Sequence, residues 1–389
     1  MRSLLISLLL LSLQPAVCEE PEKPVVSAPP AAEVERLGLD PFYKKYFSYR
    51  GFPIVGSEKV SDFAFYEAAF LIRRMLGKRQ DIIDALVESK VRLAIMAPDE
   101  FTTDIPEHAT LKPKVYWDKR ARGLGASAER PAVSVGEENL LGLTGDPYST
   151  ESIMVHEFAH AVHLMGINRI DPDFQKQLEN VFNRASLKGL WKGKYAGTNP
   201  SEYWAESVQS WFDTNRENDH DHNHVNTREE LRKHDPEVAA LVESIFGDRN
   251  WRYKAPKDRK KLRHLETFDL AGAPTFSWPA DLVKAYEALD RGEGLKEIVL
   301  NKMAELKEQA ASPESASAVK LRVDNESGQR ITVSWIGFDG LRREYGLTDP
   351  TRRFDQNTFE GHLWVITGED GRDLGWFETP AEDCRVVVK

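Results

Sequence analysis

Cysteine is nearly missing from this 389-residue chain: there are two, Cys18 and Cys384. The first ends a leader-like segment, so one cysteine is left to the folded protein. No intrachain disulfide can then form, and no thiolate cluster can hold a metal. Any bound metal must rest on imidazoles and carboxylates. Excess positive charge is missing too. The formal net charge is −10, with both signs well mixed, which leaves no broad basic surface to attract nucleic acid or anionic lipid. Nucleic acid is therefore not an expected partner. The run from Trp117 to Gly125 is basic and contains glycine but lacks the Lys-Ser/Thr ending of a phosphate loop, and reads as a surface loop. Beyond the start of the chain, no apolar run is long enough to span a bilayer. That start is Met1-Arg2, a leucine-rich stretch over 3–13, then Ala16-Val17-Cys18. It reads as a signal peptide over 1–18, too short for a membrane anchor. Val17 is not the small residue that a lipid-modified cysteine has before it. The expectation is an exported protein, secreted or periplasmic, with no transmembrane anchor.

What is present suits packed cores: 41% hydrophobic residues, nine Trp and eighteen Phe. A chain this long is expected to form two folded units. Residues 19–35 read as a Pro/Ala-rich spacer. Residues 61–97 read as mainly helical, capped by Ser61-Asp62 and closed by a strand at 91–96. Further strands are expected at 114–117 and 132–135, and further helices at 171–190, 235–246 and 282–306. A small-residue linker at 312–318 separates residues 36–311 from a tail of different texture. There, short alternating strands at 319–323, 330–335, 362–366 and 385–388 are divided by Gly/Asp turns. The tail at 319–389 is expected to be a small all-β module.

The segment 152–166 carries His156-Glu157-Phe158-Ala159-His160 among apolar helix formers. On a helix, residues i and i+4 lie nearly one above the other. His156 and His160 can therefore offer two imidazoles to one ion, with Glu157 beside them to take a proton from water. A third ligand is still needed. His163 stands where a metzincin pattern has glycine, and Gly166 where it has the third histidine. His163 also lies about 10 Å along the axis from His156, too far to share the ion. Downstream, Glu202 and Glu206 are again i and i+4, on an apolar helix with Trp204, Ala205, Val208 and Trp211. A second helix that presents a carboxylate to the first is the gluzincin arrangement. Glu202 can bind the ion while Glu206 accepts an N–H from a ligand imidazole, although spacing alone does not choose between them. The strand at 132–135, just ahead of the motif, is the candidate for pairing with an extended substrate. The run Asn218 to His224, with His220, His222 and His224, has no apolar framing and reads as a solvated loop rather than a second metal site.

Tyr195, Asn199 and the Glu202-Tyr203-Trp204-Ala205-Glu206 core resemble the catalytic domain of anthrax lethal factor and the Pro-Pro endopeptidases over residues 150–212. The resemblance implies that His156, His160 and Glu202 are zinc ligands and that Glu157 is the base. It further implies that Tyr195 donates a hydrogen bond to the oxyanion and that Glu206 supports the ligands from behind.

In the tail, Val333 to Gly340, then Tyr345, then Gly361-His362-Leu363-Trp364 resemble the β domain of the von Hippel–Lindau tumour suppressor. The resemblance implies a β-sandwich that shows Tyr345, Thr358, His362 and Trp364 around a hydroxyproline-like or matrix ligand. Asn357 stands where that family has a further histidine.

Together these readings make an α+β zincin-like metallopeptidase domain, mainly helical with a small sheet, followed by a small all-β sandwich. The expected activity is zinc-dependent endopeptidase action on a protein or peptide substrate. The alternatives are a non-catalytic zinc-containing scaffold and a zinc hydrolase of a non-peptide bond.

Overall fold

The computed structural model describes residues 25–260 and 262–389. The expected signal peptide, Cys18 and the first part of the spacer lie outside these. The described chain divides into two compact units, one of residues 25–111 and 120–277 and one of 112–119 and 278–389. The linker expected at 312–318 falls inside the second unit rather than between the two.

The first unit begins with α1 (Ala31–Leu37), closed by Gly38 in the left-handed conformation. The spacer expected here thus gives way to structure. Ser27 exchanges two backbone hydrogen bonds with Tyr46, at 3.1 and 2.7 Å, and Leu37 and Leu39 enter a small core with Tyr43 and Ile105. A hairpin of β1 (Lys45–Tyr49) and β2 (Phe52–Gly56) follows. Next come α2 (Asp62–Leu76), α3 (Gln80–Glu88), β3 (Arg92–Met96), α4 (Lys114–Arg120), β4 (Gly123–Leu124) and β5 (Ala132–Gly136). Ser61 caps α2 as expected, its hydroxyl accepting the Phe63 N–H at 3.4 Å. The sheet runs β1-β2-β3-β5-β4, parallel in its middle three strands and antiparallel at both edges. Every residue of β2, β3 and β5 is buried, which suits parallel strands covered on both faces.

Three expectations are corrected here. The strand read at 114–117 is α4. Pro113 stands just before it, and its carbonyl accepts the N–H groups of Tyr116 and Trp117, so a helix opened after proline overrides the β preference of Val, Tyr and Trp. The stretch read as a surface loop to Gly125 contains edge strand β4. And β5 is flanked by β3 on one side and β4 on the other. Its backbone beside β4 is already paired, so the free edge next to the motif belongs to β4.

The rest of this unit is helical: α5 (Glu137–Leu141), α6 (Ile153–Ala161), a π-helical turn (Val162–Ile167), α7 (Asn168–Ile170), α8 (Phe174–Leu187), α9 (Pro200–Trp211), α10 (Arg228–His234) and α11 (Pro236–Phe246). Pro200 and Pro236 each open a helix, where a missing N–H costs nothing. Asn199 caps α9 by accepting from the N–H groups of Ser201 and Glu202, at 2.9 and 3.0 Å. Tyr203, Trp204, Val208 and Trp211 bury one face of α9 completely. The Trp204 indole also donates to the Ala159 carbonyl at 3.0 Å, which fixes α9 against α6. Truncating such a side chain to alanine costs about 3–5 kcal/mol.

In the second unit, α12 (Ala280–Asp290) stops well short of the helix expected to 306. Gly292 and Gly294 both turn the chain at positive φ, and β6 (Lys296–Ile298) then pairs in parallel with the last strand. After it come β7 (Ala318–Asn325), β8 (Ile331–Ile336), β9 (Arg342–Thr348), β10 (Arg353–Phe359), β11 (Leu363–Gly368), β12 (Asp373–Glu378) and β13 (Cys384–Val388). They form two four-stranded sheets, β10-β7-β13-β6 and β12-β11-β8-β9. Leu321, Val323, Val333, Trp364, Ile366, Phe377 and Val386 make the core. Buried Cys384 belongs to it as a free thiol, pushed up to about 12 by burial. Residues 112–119 join this unit through Lys119, 4.5 Å from the Trp278 ring, and Tyr116, 4.6 Å from the Lys320 ammonium. Among the described residues, no helix is long and apolar enough to cross a membrane.

Candidate metal centre

Helix α6 carries His156, Glu157 and His160, and α9 brings Glu202 to meet them. Glu202 Oε2 lies 3.2 Å from His156 Nε2 and 3.4 Å from His160 Nε2, while the two Nε2 atoms are 3.2 Å apart. Among the described residues, these three side chains are the group able to hold a metal ion.

The other ring nitrogens decide what those Nε2 atoms are. His156 Nδ1 lies 2.8 Å from Gln209 Oε1. The Gln209 amide nitrogen is itself committed to Glu151 Oε2 and the Ser152 carbonyl, at 3.1 and 3.3 Å. Gln209 must therefore present its oxygen, so His156 carries its proton on Nδ1 and a lone pair on Nε2. His160 Nδ1 is 3.0 Å from the Ser201 hydroxyl, and when that hydroxyl accepts from Nδ1 the His160 Nε2 carries a lone pair as well. Two lone pairs and a carboxylate then face one another inside the protein. Such a set repels itself unless a cation, whether proton or metal, sits among it. The titration of the site reflects this. Burial pulls the His156 imidazole down, yet Glu202, Glu157 and Glu206 together lift it to about 10. Burial likewise opposes the Glu202 charge, yet the two imidazoles hold its carboxyl well below the usual range. The donor set of two imidazoles and one carboxylate fits zinc.

Glu202 is thus where the two imidazoles converge, and Glu206 is not. Glu206 Oε1 lies 3.5 Å from His156 Nδ1, a longer approach than that of Gln209. Its Oε2 accepts from Asn215 at 3.0 Å and faces His222 Nε2 at 3.3 Å. His222 is buried and orients on Asp219, with Nδ1 2.8 Å from its carboxylate. The run read as a solvated loop is therefore split. His220 is exposed and pairs with Asp221, whereas His222 backs Glu206. His163 stays in the core, 2.8 Å from Gln175 and packed on Phe174 and Trp204. Burial draws its imidazole down to about 4.

Burial pushes the Glu157 carboxyl up, while the two histidines pull it the other way. Tyr195 begins a single 3₁₀ turn whose first N–H donates to the Asp221 carbonyl at 2.8 Å. Its ring stacks over His156 with centroids 6.3 Å apart. Burial, then the charges of Glu202 and Glu157, keep its phenol protonated far above neutral pH. Glu157, Tyr195 and His156 share the lining of one cleft of ≈ 90 Å³.

Strand β4 runs directly over α6. A Cβ at Gly123 would meet Ile153 at 2.4 Å and Glu157 at 3.0 Å, and one at Gly125 would meet His160 at 2.8 Å. Only glycine allows that approach. Arg122 anchors the strand from below, fully buried, with Nε and Nη2 on the Glu138 carboxylate at 2.5 and 2.9 Å. Gln209, His222 and the Gly123-x-Gly125 pair were not anticipated as parts of the site. The first and last had readable signals: Gln209 continues the i, i+4, i+7 face of Glu202 and Glu206, and paired glycines mark close backbone approach.

In the second unit the four expected pocket residues lie together. Thr358 Oγ1 is 3.1 Å from His362 Nδ1, and the Tyr345 and Trp364 rings are 5.2 Å apart. Trp335 links them, 5.2 Å from His362 and 6.1 Å from Tyr345. His362 Nε2 and the indole nitrogens of Trp335 and Trp364 are buried without a hydrogen-bond partner. Asn357 is exposed while Thr358 is buried, as the strand alternates.

No protein-family model matches the chain, and no curated protein matches it. Among solved structures, the chain is similar to the Pro-Pro endopeptidase from Paenibacillus alvei, at 20% identity over 50% of this chain and 96% of that one, with a TM-score of 0.30.

Proposed function

We propose that the first unit is an exported zinc-dependent endopeptidase acting on protein or peptide substrates. The observation that carries this reading is the convergence of His156, His160 and Glu202 beside Glu157. Zinc held by those three side chains would supply a Lewis acid for the scissile carbonyl and lower the pKa of water beside it. Glu157 takes the proton of the attacking water and returns it to the leaving amine. Tyr195 donates a hydrogen bond to the oxygen that gains charge. The outer edge of β4 offers backbone groups to an extended peptide, held close to α6 by Gly123 and Gly125.

The test is digestion of a proteome-derived peptide library by wild type and by Glu157→Gln, each with and without chelator. Cleavage confined to metal-loaded wild type is expected. Equal cleavage by Glu157→Gln removes the base from the mechanism, and no cleavage by any sample favours a scaffold or a non-peptide hydrolase.

For the second unit we propose a docking role for a hydroxyproline-like or matrix ligand, supported by exposed Tyr345 and Phe338, whose rings meet Trp335, His362 and Trp364.

A further inference from the structure

A second concavity in the first unit, of ≈ 450 Å³, lies at the C-terminal end of α2, far in sequence from the histidine motif. Its wall includes Arg50, Arg73, Arg74, Lys78 and Arg249 beside Trp251, and no carboxylate lines it. Five cations around one hollow are unexpected in a chain whose net charge is −10. The nearby acids are engaged elsewhere: Asp81 pairs with Arg79, and Asp248 with Arg228 and Arg232.

The helix end explains part of this charge. Arg50 donates to the Gly77 carbonyl at 3.1 Å and Arg249 to the Arg74 carbonyl at 3.3 Å. A helix C-terminus offers only about half a negative charge, however, against five positive ones. Arg73 and Lys78 are exposed, and neither has an ion-pair partner among the described residues. Arg74 lies over the Phe70 ring at 4.9 Å, with its Nε buried and without an acceptor. Burial, and after it the charges of Arg73 and Arg259, draw its guanidinium below its ordinary value. Arg50 also holds φ 51 beside Gly51 at φ 88, a two-residue turn that favours Asn or Gly at its first position. A long cation stands where the backbone prefers a small residue.

We propose that this basin binds a phosphate or sulfate monoester. Its tetrahedral oxyanion would be held by Arg73, Arg74 and Lys78, and the group that bears it would lie against Trp251. The hollow is larger than one such anion needs, and planar guanidinium groups suit the oxyanion geometry. The site stands apart from the hydrolytic reading and does not depend on it.

Calorimetric titration of the full chain with inorganic phosphate, phenyl phosphate and a sulfated disaccharide, at low and physiological salt, tests the proposal. At least one probe should bind wild type, more weakly in salt, and about tenfold or more weakly to an Arg73→Glu/Lys78→Glu double variant. Both substitutions are at exposed positions, so peptide cleavage and the circular dichroism spectrum should not change. Tightest binding of phenyl phosphate identifies a phosphate ester as the ligand class, and tightest binding of the disaccharide a sulfated glycan. Failure of all three probes to bind, or equal binding by the double variant, overturns the proposal.

Discussion

His156 and His160 in the first unit, and His362 in the second, are all buried imidazoles with a polar partner on Nδ1. Gln209 accepts a hydrogen bond from Nδ1 of His156, Ser201 meets Nδ1 of His160, and Thr358 meets Nδ1 of His362. The opposite nitrogens differ. In the first unit two Nε2 atoms converge on a carboxylate. In the second, Nε2 is left alone among aromatic rings, beside two indole N–H groups equally without partners. Lone pairs gathered around an anion call for a cation, whereas an imidazole nitrogen and two indole N–H groups set apart among aromatic rings gather no charge for an ion to balance. The same residue type thus serves two chemistries, and the partner of the second nitrogen decides which.

The comparison can be strained from either side. Tyr195→Phe removes only the phenolic hydroxyl and keeps the ring beside His156. It should lower kcat by about 10²–10³, the usual cost of one oxyanion donor, with zinc content unchanged in elemental analysis. Loss of zinc instead would make Tyr195 a structural prop. Gln209→Ala frees His156 to change tautomer and should weaken zinc about 10–100-fold in a chelator competition. Undiminished affinity would mean that Glu206 is enough to orient the ring. In the second unit, Thr358→Val leaves His362 Nδ1 without its partner and should cost about 1 kcal/mol in urea unfolding. A null effect there would show that the hydroxyl does not fix the ring.

The sequence made some of this legible, for identifiable physical reasons. His156, Glu157 and His160 declare themselves by helical spacing, because all three ride on one element. Glu202 and Tyr195 come from elsewhere in the chain: spacing offers Glu202 and Glu206 alike as the third ligand, and only the resemblance prefers Glu202 and points to Tyr195. His222 was missed because burial is a tertiary property: in an alternating Asp/His/Asn run, nothing local separates it from exposed His220. The strong strands β7, β8, β11 and β13 stood out by their apolar alternation. β9 and β10 are mostly exposed and polar, and are held by cross-strand pairing that their own sequences do not advertise. The helix at α4 was hidden by β-prone residues, although the proline before it was a usable signal.

The sharpest test of the first unit is a zinc count by mass spectrometry on Glu202→Gln and Glu206→Gln beside wild type. One zinc per chain is expected in wild type and in Glu206→Gln, with little or none in Glu202→Gln. Zinc retained by Glu202→Gln and lost from Glu206→Gln would contradict the centre described here.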